Sequence, residues 1–174
     1  MSVTLVHTAD LKPAERTAVR ALLDAAFDGL DDADWDHALG GMHAMIWADD
    51  ELVAHASVVQ RQLGYQGRPV RAGYVEGVAV HADRGRTGLG DAVMAAVERV
   101  IRDAYDLGAL SSSEMALPFY AARGWQLWQG SSFAMTPTGV TRTKDDDDGI
   151  YVLPVTPLDL TADLIADWRV GDAW

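Results

Sequence analysis

The chain has no cysteine, and its basic side chains are outnumbered, 14 Lys and Arg against 26 Asp and Glu. Without thiols there is no disulfide framework, no thiolate metal site and no covalent acyl-cysteine intermediate, so any acyl transfer must be direct or use another nucleophile. A net charge of −12 repels nucleic acid and anionic lipid and concentrates cationic solutes near acid-lined clefts. An acidic surface that merely keeps a protein in solution has the same composition. Also missing is any apolar run approaching the roughly 20 residues of a membrane span, and the opening MSVTLVHTAD has no basic segment leading into an apolar core. These absences lead us to expect a cytoplasmic protein that binds neither membrane nor nucleic acid. The histidines at 7, 37, 43, 55 and 81 lack metal-ligand spacing such as HExxH, so structural or surface roles and no metal are expected. No Pro/Gly/Ser-rich block divides the 174 residues, of which 49% are hydrophobic. One domain over 1–174 is the expectation.

The hydrophobic pattern gives an α/β order. Residues 3–6 read as a strand, and Pro13 suits the first turn of a helix with Val19, Leu22, Leu23 and Phe27 on one face. Asp32 can cap a second, short helix containing Trp35 and Leu39, ended by Gly40 and Gly41. Strands at 43–47 and 52–63 make a hairpin turned at Asp49 and Asp50, and 70–80 adds another strand. A helix over 88–106 ends at Gly108 and leads to a strand at 109–112. Pro118 starts the next helix, Gly124 ends it, and strands at 125–128, 133–135 and 150–153 complete the set. Antiparallel hairpins come first, with a β-α-β crossover in the middle.

The most informative stretch is GYVEGVAVHADRGRTGLG, residues 73–90, which runs straight into the periodic segment DAVMAAVERVIRDAYDLG. An aliphatic strand ends in an Arg/Gly loop that opens a helix. Glycines at 85, 88 and 90 let the backbone pack tightly, so that several amide N–H groups can point at one anionic group at the positive helix end. That is the chemistry of a phosphate cradle, although an ordinary tight turn has the same ingredients. The spacing fits neither GxGxxG nor GxxxxGK[ST]. In the strand before it, Glu76 interrupts an apolar run and by period 2 shares a face with Tyr74, Val78 and Val80. A carboxylate so placed is unfavourable unless it faces a ligand or a paired charge, which makes Glu76 a candidate base. The plain alternative is a core carboxylate satisfied by Arg71 or by backbone.

The loop resembles the acetyl-CoA pyrophosphate loop of the GCN5-related N-acetyltransferases (GNAT), [Q/R]-x-x-G-x-[G/A]. Gly85-Arg86-Thr87-Gly88-Leu89-Gly90 keeps both late glycines, with Gly85 in first position and Arg84 and Arg86 on either side. The segments LGGMHAMIW (39–47), AGYVEGVAV (72–80), YDLGALSSS (105–113), YAARGW (120–125), PTGVTRT (137–143) and DWRVGDAW (167–174) are similar to those of the aminoglycoside 2'-N-acetyltransferases over nearly the whole chain. The last two lie outside the shared acetyltransferase core and so point to this branch. The resemblance implies the GNAT fold, an α/β arrangement with a mixed, mostly antiparallel, splayed sheet and flanking helices, the ligand lying where two parallel strands part. It further implies acetyl-CoA as cosubstrate, held by Val78, Ala79 and Val80 and by Arg84, Gly85, Arg86, Thr87, Gly88, Leu89 and Gly90. A homodimer is also implied.

The reaction so implied is attack of a primary amine on a thioester. An aliphatic ammonium with a reference pKa of about 10.4 must lose a proton, and the departing thiolate must gain one. By resemblance Glu76 takes the first through ordered water, and Tyr120, in the YAARGW match to the family's YASRGW, supplies the second. Tyr120 packed in the core with its hydroxyl on a carbonyl is the alternative. The resemblance assigns the cationic substrate to Asp34, Glu76, Ser111, Asp146, Asp172 and the carboxylate of Trp174. Within the Asp145–Asp148 run either Asp146 or a neighbour could be the contact, or the run could be a solvated loop. The terminus could fray, although Trp168 and Trp174 offer apolar area for tying it down. Three functions stay open: acetylation of aminoglycosides at the 2'-amine; acetylation of an endogenous polyamine, amino sugar or peptide; and a non-catalytic acyl-CoA sensor, against which the joint presence of Glu76 and Tyr120 argues.

Overall fold

Asp49 and Asp50 both take left-handed backbone, φ +50° and +65°, as a two-residue type I′ turn requires. They join β2 (Met42–Ala48) to β3 (Glu51–Tyr65), antiparallel with His43 opposite Ser57 and Met45 opposite His55. Gln66 (φ +48°) and Gly67 (φ +76°) repeat the device between β3 and β4 (Arg68–Val80). The computed structural model describes all 174 residues, Met1–Trp174. The chain forms two compact units, Met1–Val59 with Val75–Val100, and Gln60–Tyr74 with Ile101–Trp174; β3 and β4 run from one into the other. No helix is long and apolar enough to cross a membrane.

In the first unit, β1 (Thr4–His7) pairs antiparallel with β2. Helix α1 (Pro13–Ala26) opens on proline, whose missing N–H leaves no orphan donor, and the Glu15 carboxylate accepts the Lys12 N–H at 2.8 Å. It buries Val19, Leu22 and Leu23 in one apolar cluster with Leu11, Met45, Leu52 and Ala79. Phe27 does not share that stripe: it is the extended residue after the last turn and is 40% exposed. Helix α2 (Asp32–His37) is capped by Asp31 rather than Asp32, and it stops short of Leu39. Helix α3 (Leu89–Ala104) buries Val93, Met94, Val97 and Ile101 completely, the i, i+1, i+4, i+8 pattern of one helix face.

The second unit orders its strands β6-β9-β5-β4-β3-β10-β7-β8, with β5 (Leu107–Ser111), β6 (Gln126–Leu127), β7 (Ser132–Thr136), β8 (Gly139–Arg142), β9 (Ile150–Pro154) and β10 (Leu164–Ala166). Gly108 lies inside β5 instead of ending α3. The helix gives way earlier because Asp106 and Arg71 clasp: the Asp106 N–H donates to Arg71 O at 2.9 Å and the Arg71 N–H to Asp106 Oδ2 at 2.8 Å. The expected crossover is present, β5 pairing parallel with β4 over Ala72–Tyr74. That ladder ends at Tyr74 opposite Ala109, while β5 continues to Ser111 paired with Ile150 of β9. Helix α4 (Leu117–Ala122) begins beside Pro118, and Gly124 (φ +89°) turns the chain after it.

Candidate active site

Each group of candidate residues is set by its own unit. In the first, the loop after β4 makes a short 3-10 turn at Ala82–Arg84, and the Thr87 hydroxyl donates to Arg84 O at 2.5 Å. The glycines divide their work differently from the expectation. Gly85 has an ordinary φ of −58° and Gly90 is already helical, whereas Arg86 (φ +60°) and Gly88 (φ +80°) carry the left-handed backbone. The Ala92 N–H closes the first helical turn on Gly88 O at 3.0 Å, so the amides of Leu89 and Gly90 have no acceptor within the helix. A Cβ at Gly88 would meet nothing within 4 Å, and Gly85, Arg86, Thr87 and Gly88 are exposed. The geometry suits an anion: an open N-terminus, partial positive charge, two arginines beside it and no side chain in the way. Leu89 is buried, so only its amide can serve such a group.

Glu76 is half-buried. Arg71 is paired with Asp106. The period-2 face expected for Glu76, Val78 and Val80 is broken, because Gly77 adopts φ +56° and interrupts the pleat. Consistent with that, Ala79 is buried between the half-buried Val78 and Val80. Two successive β4 carbonyls accept from side chains on β3: the Ser57 hydroxyl donates to Glu76 O at 3.2 Å, and His55 Nδ1 lies 2.7 Å from Gly77 O. Asp34 has a local task in a capping box, one of its oxygens accepting the Asp31 N–H at 3.2 Å while Asp31 Oδ1 accepts the Asp34 N–H at 2.8 Å.

In the second unit Tyr120 sits in an aromatic nest of Phe119, Trp125 and Tyr151, with ring centroids 5.2, 6.1 and 5.7 Å away. Its hydroxyl bonds the Ser112 side chain, and burial pushes its pKa above the usual 10 despite that bond. A neutral phenol at physiological pH is a proton donor in reserve. Ser111 is exposed at the end of β5, and the Ser112 N–H bonds Gly149 O at 2.9 Å.

The acidic run resolves into separate roles. Asp147 is structural: Arg142 grips it with both guanidinium nitrogens and Ser132 donates its N–H (3.0 Å) and hydroxyl (2.8 Å), which together hold its carboxyl well below the usual range. Asp145 and Asp148 are exposed. Asp146 is half-buried, and its carboxyl is raised by desolvation and then by the charge of Asp172. Trp174 is only 6% exposed and donates its indole N–H to Thr143 Oγ1 at 3.0 Å, while Asp146 bonds the same threonine. The structure thus gathers Asp146, Asp172 and Trp174 around Thr143, and the terminus is docked. Trp168 takes no part in this docking and is 65% exposed.

Several residues here escaped the sequence reading. Buried Arg61 pairs with Asp167 (2.7 Å) and stacks over the Tyr74 ring at 4.6 Å; Arg169 lies 5.3 Å from the same ring and donates to Asp172 O at 2.6 Å. Together they pin the tail that carries Asp172. Thr143 and Ser112 are single hydroxyls with no motif. His43 and His55, expected only to have structural or surface roles, are fully buried on two paired strands.

Residues 7–128 match the acetyltransferase (GNAT) domain family. The chain is 52% identical to an aminoglycoside 2'-N-acetyltransferase of Mycolicibacterium fortuitum over 98% of its own length and 90% of that protein's. Among solved structures it is similar to the GNAT family N-acetyltransferase YhbS of Escherichia coli in complex with CoA, with TM-score 0.65, 13% identity, and 95% and 89% of the two chains covered. It is also similar to Eis1 of Mycobacterium abscessus, with TM-score 0.62 and 19% identity over 76% of this chain, which spans about a third of that longer protein (34%). The structural likenesses concern the fold alone.

Proposed function

The chain belongs to the GNAT acetyltransferase family, and on that footing we propose that it transfers the acetyl group of acetyl-CoA to the 2'-amino group of aminoglycosides, conferring resistance to them. Its likeness to the Mycolicibacterium fortuitum enzyme over nearly the full length carries this reading. Members of the family use acetyl-CoA, and the open amides of Leu89 and Gly90 beside Arg84 and Arg86 suit its pyrophosphate. Glu76 removes the ammonium proton through water, freeing the nitrogen lone pair to attack the thioester carbon. The C–N bond forms, the oxyanion is met by strand amides including that of Val78, and the C–S bond breaks with the thiolate taking the Tyr120 proton, while the extra proton on the new amide nitrogen leaves to solvent, from which Tyr120 is reprotonated. Asp146, Asp172 and Trp174, with Asp34 and Ser111, hold the remaining ammonium and hydroxyl groups. The acid pair suits a polycation: a shared cationic partner would relieve the Asp172 charge that, after burial, raises the Asp146 carboxyl. The enzyme acts as a cytoplasmic homodimer.

Thiol release from acetyl-CoA tests the reading. Gentamicin- or tobramycin-type compounds, with a 2'-amine, should turn over, and kanamycin A- or amikacin-type compounds, with a 2'-hydroxyl, should be poor substrates, since a site built for an N–H rejects its absence strongly. Equal turnover of both classes contradicts the 2' assignment. Turnover of linear polyamines or peptides but not of aminoglycosides would favour the endogenous-amine alternative.

A further inference from the structure

A chain of hydrogen bonds, buried through its middle, crosses the first unit and ends beside Glu76. The Gly40 and Gly41 amides donate to Thr8 Oγ1 at 2.8 and 3.2 Å; Thr8 Oγ1 is 2.8 Å from His43 Nε2; His43 Nδ1 is 2.9 Å from His55 Nε2; and His55 Nδ1 is 2.7 Å from Gly77 O. Both imidazoles are fully buried, and desolvation lowers them to about 4 (His43) and about 3 (His55), so both are neutral at physiological pH.

Neutrality fixes every proton. A carbonyl oxygen only accepts, so His55 carries its hydrogen on Nδ1, which leaves Nε2 as an acceptor. His43 must then donate from Nδ1, and its bare Nε2 accepts the Thr8 hydroxyl. The chain runs one way, from the Gly40–Gly41 amides to the Gly77 carbonyl. That carbonyl belongs to the same planar trans peptide as the Val78 N–H, and in a trans peptide the two groups point in opposite directions. Holding one aims the other. The hold is needed because Gly77 is a left-handed glycine, free to take many other conformations.

We propose that His55 is a positioning residue: by gripping the Gly77 carbonyl it sets the Gly77–Val78 peptide and so aims the Val78 N–H at the oxyanion of the acetyl transfer, with His43 and Thr8 fixing its tautomer. The proposal rests on the acetyltransferase reading above. Ser57, which holds the preceding carbonyl, assists. A mispointed oxyanion donor slows chemistry without weakening the binding of either substrate.

The experiment compares His55→Leu with His55→Asn in the full-length protein, because Asn puts an amide N–H where Nδ1 stands. His55→Leu should lower kcat roughly 10- to 100-fold with KM for acetyl-CoA and for the amine little changed, and His55→Asn should recover most of it. Full kcat in His55→Leu, a loss confined to KM, or an Asn variant no better than Leu overturns the proposal. Imidazole nitrogen NMR of the unmutated protein adds a readout independent of folding: both His43 and His55 should be Nδ1–H tautomers, and an Nε2–H tautomer at His55 also overturns it. Failure of the acetyltransferase reading looks different. The unmutated enzyme would then release no thiol with any amine, whatever the tautomers.

Discussion

Lowering the pH from 7.5 to 5.0 should destabilise the native protein by about 4 kcal/mol through His43 and His55 alone. Both rings are solvent-free, with pKa values near 4 and 3 in the folded state against about 6.5 in an unfolded chain. At pH 5.0 the native pair is still neutral, while the unfolded chain binds a proton on each ring, a preference of about 2 kcal/mol per histidine. The sign follows from the lowered values: the contribution is intact above about pH 6.5, shrinks as the pH falls, and is gone once the native rings protonate near 4 and then 3. Against a typical stability of roughly 5–15 kcal/mol the loss is large. Asp146 works the other way, since a carboxyl raised in the folded state favours folding as it protonates. The His55→Asn variant separates the two, because an amide does not titrate. Urea unfolding at both pH values should show a pH-dependent loss about 2 kcal/mol smaller in His55→Asn than in the unmutated protein. If both proteins lose stability equally, or neither does, the neutral buried pair is refuted.

Three further outcomes follow from the candidate site. Tyr120→Phe should lower turnover roughly 10²- to 10⁴-fold, the range for a general acid, while calorimetry shows acetyl-CoA still bound; near-full turnover with chemistry rate-limiting would remove the acid role. Gly88→Val forces a branched side chain into φ +80°, at roughly 1–2 kcal/mol of backbone strain, and fills the open mouth of the cradle; KM for acetyl-CoA should rise with KM for the aminoglycoside nearly constant, and the reverse pattern would move the cosubstrate elsewhere. Asp172→Asn should weaken aminoglycoside binding about 10- to 100-fold at low salt, the effect of losing one charge-assisted contact, whereas equal affinity by calorimetry would remove Asp172 from the substrate site.

The strand-loop-helix at 73–90 was legible because its signals are local: an apolar strand run, then Gly and Arg, then a helical period. The hairpin at Asp49 and Asp50 was legible for the same reason. What the sequence hid was set by distant partners. Asp106 reads as the last residue of a helix until its clasp with Arg71 draws it out, and β8 and β10 are too short and, in β8, too exposed to leave a hydrophobic period. Four consecutive aspartates are equivalent on paper, yet Arg142 and Ser132 single out Asp147 as scaffold and leave Asp146 beside Asp172. Glu76 was readable as a costly carboxylate in an apolar strand, but not the kink at Gly77, nor the histidines beneath it, because hydrogen bonds across strand registers have no signature along one strand.

The most direct test of the central claim is the position of the acetyl group in the product. An aminoglycoside with several free amines, incubated with acetyl-CoA and this protein and resolved by two-dimensional NMR, should carry a single N-acetyl group, at the 2' position. Acetylation at another amine, or a mixture of positions, would contradict the account.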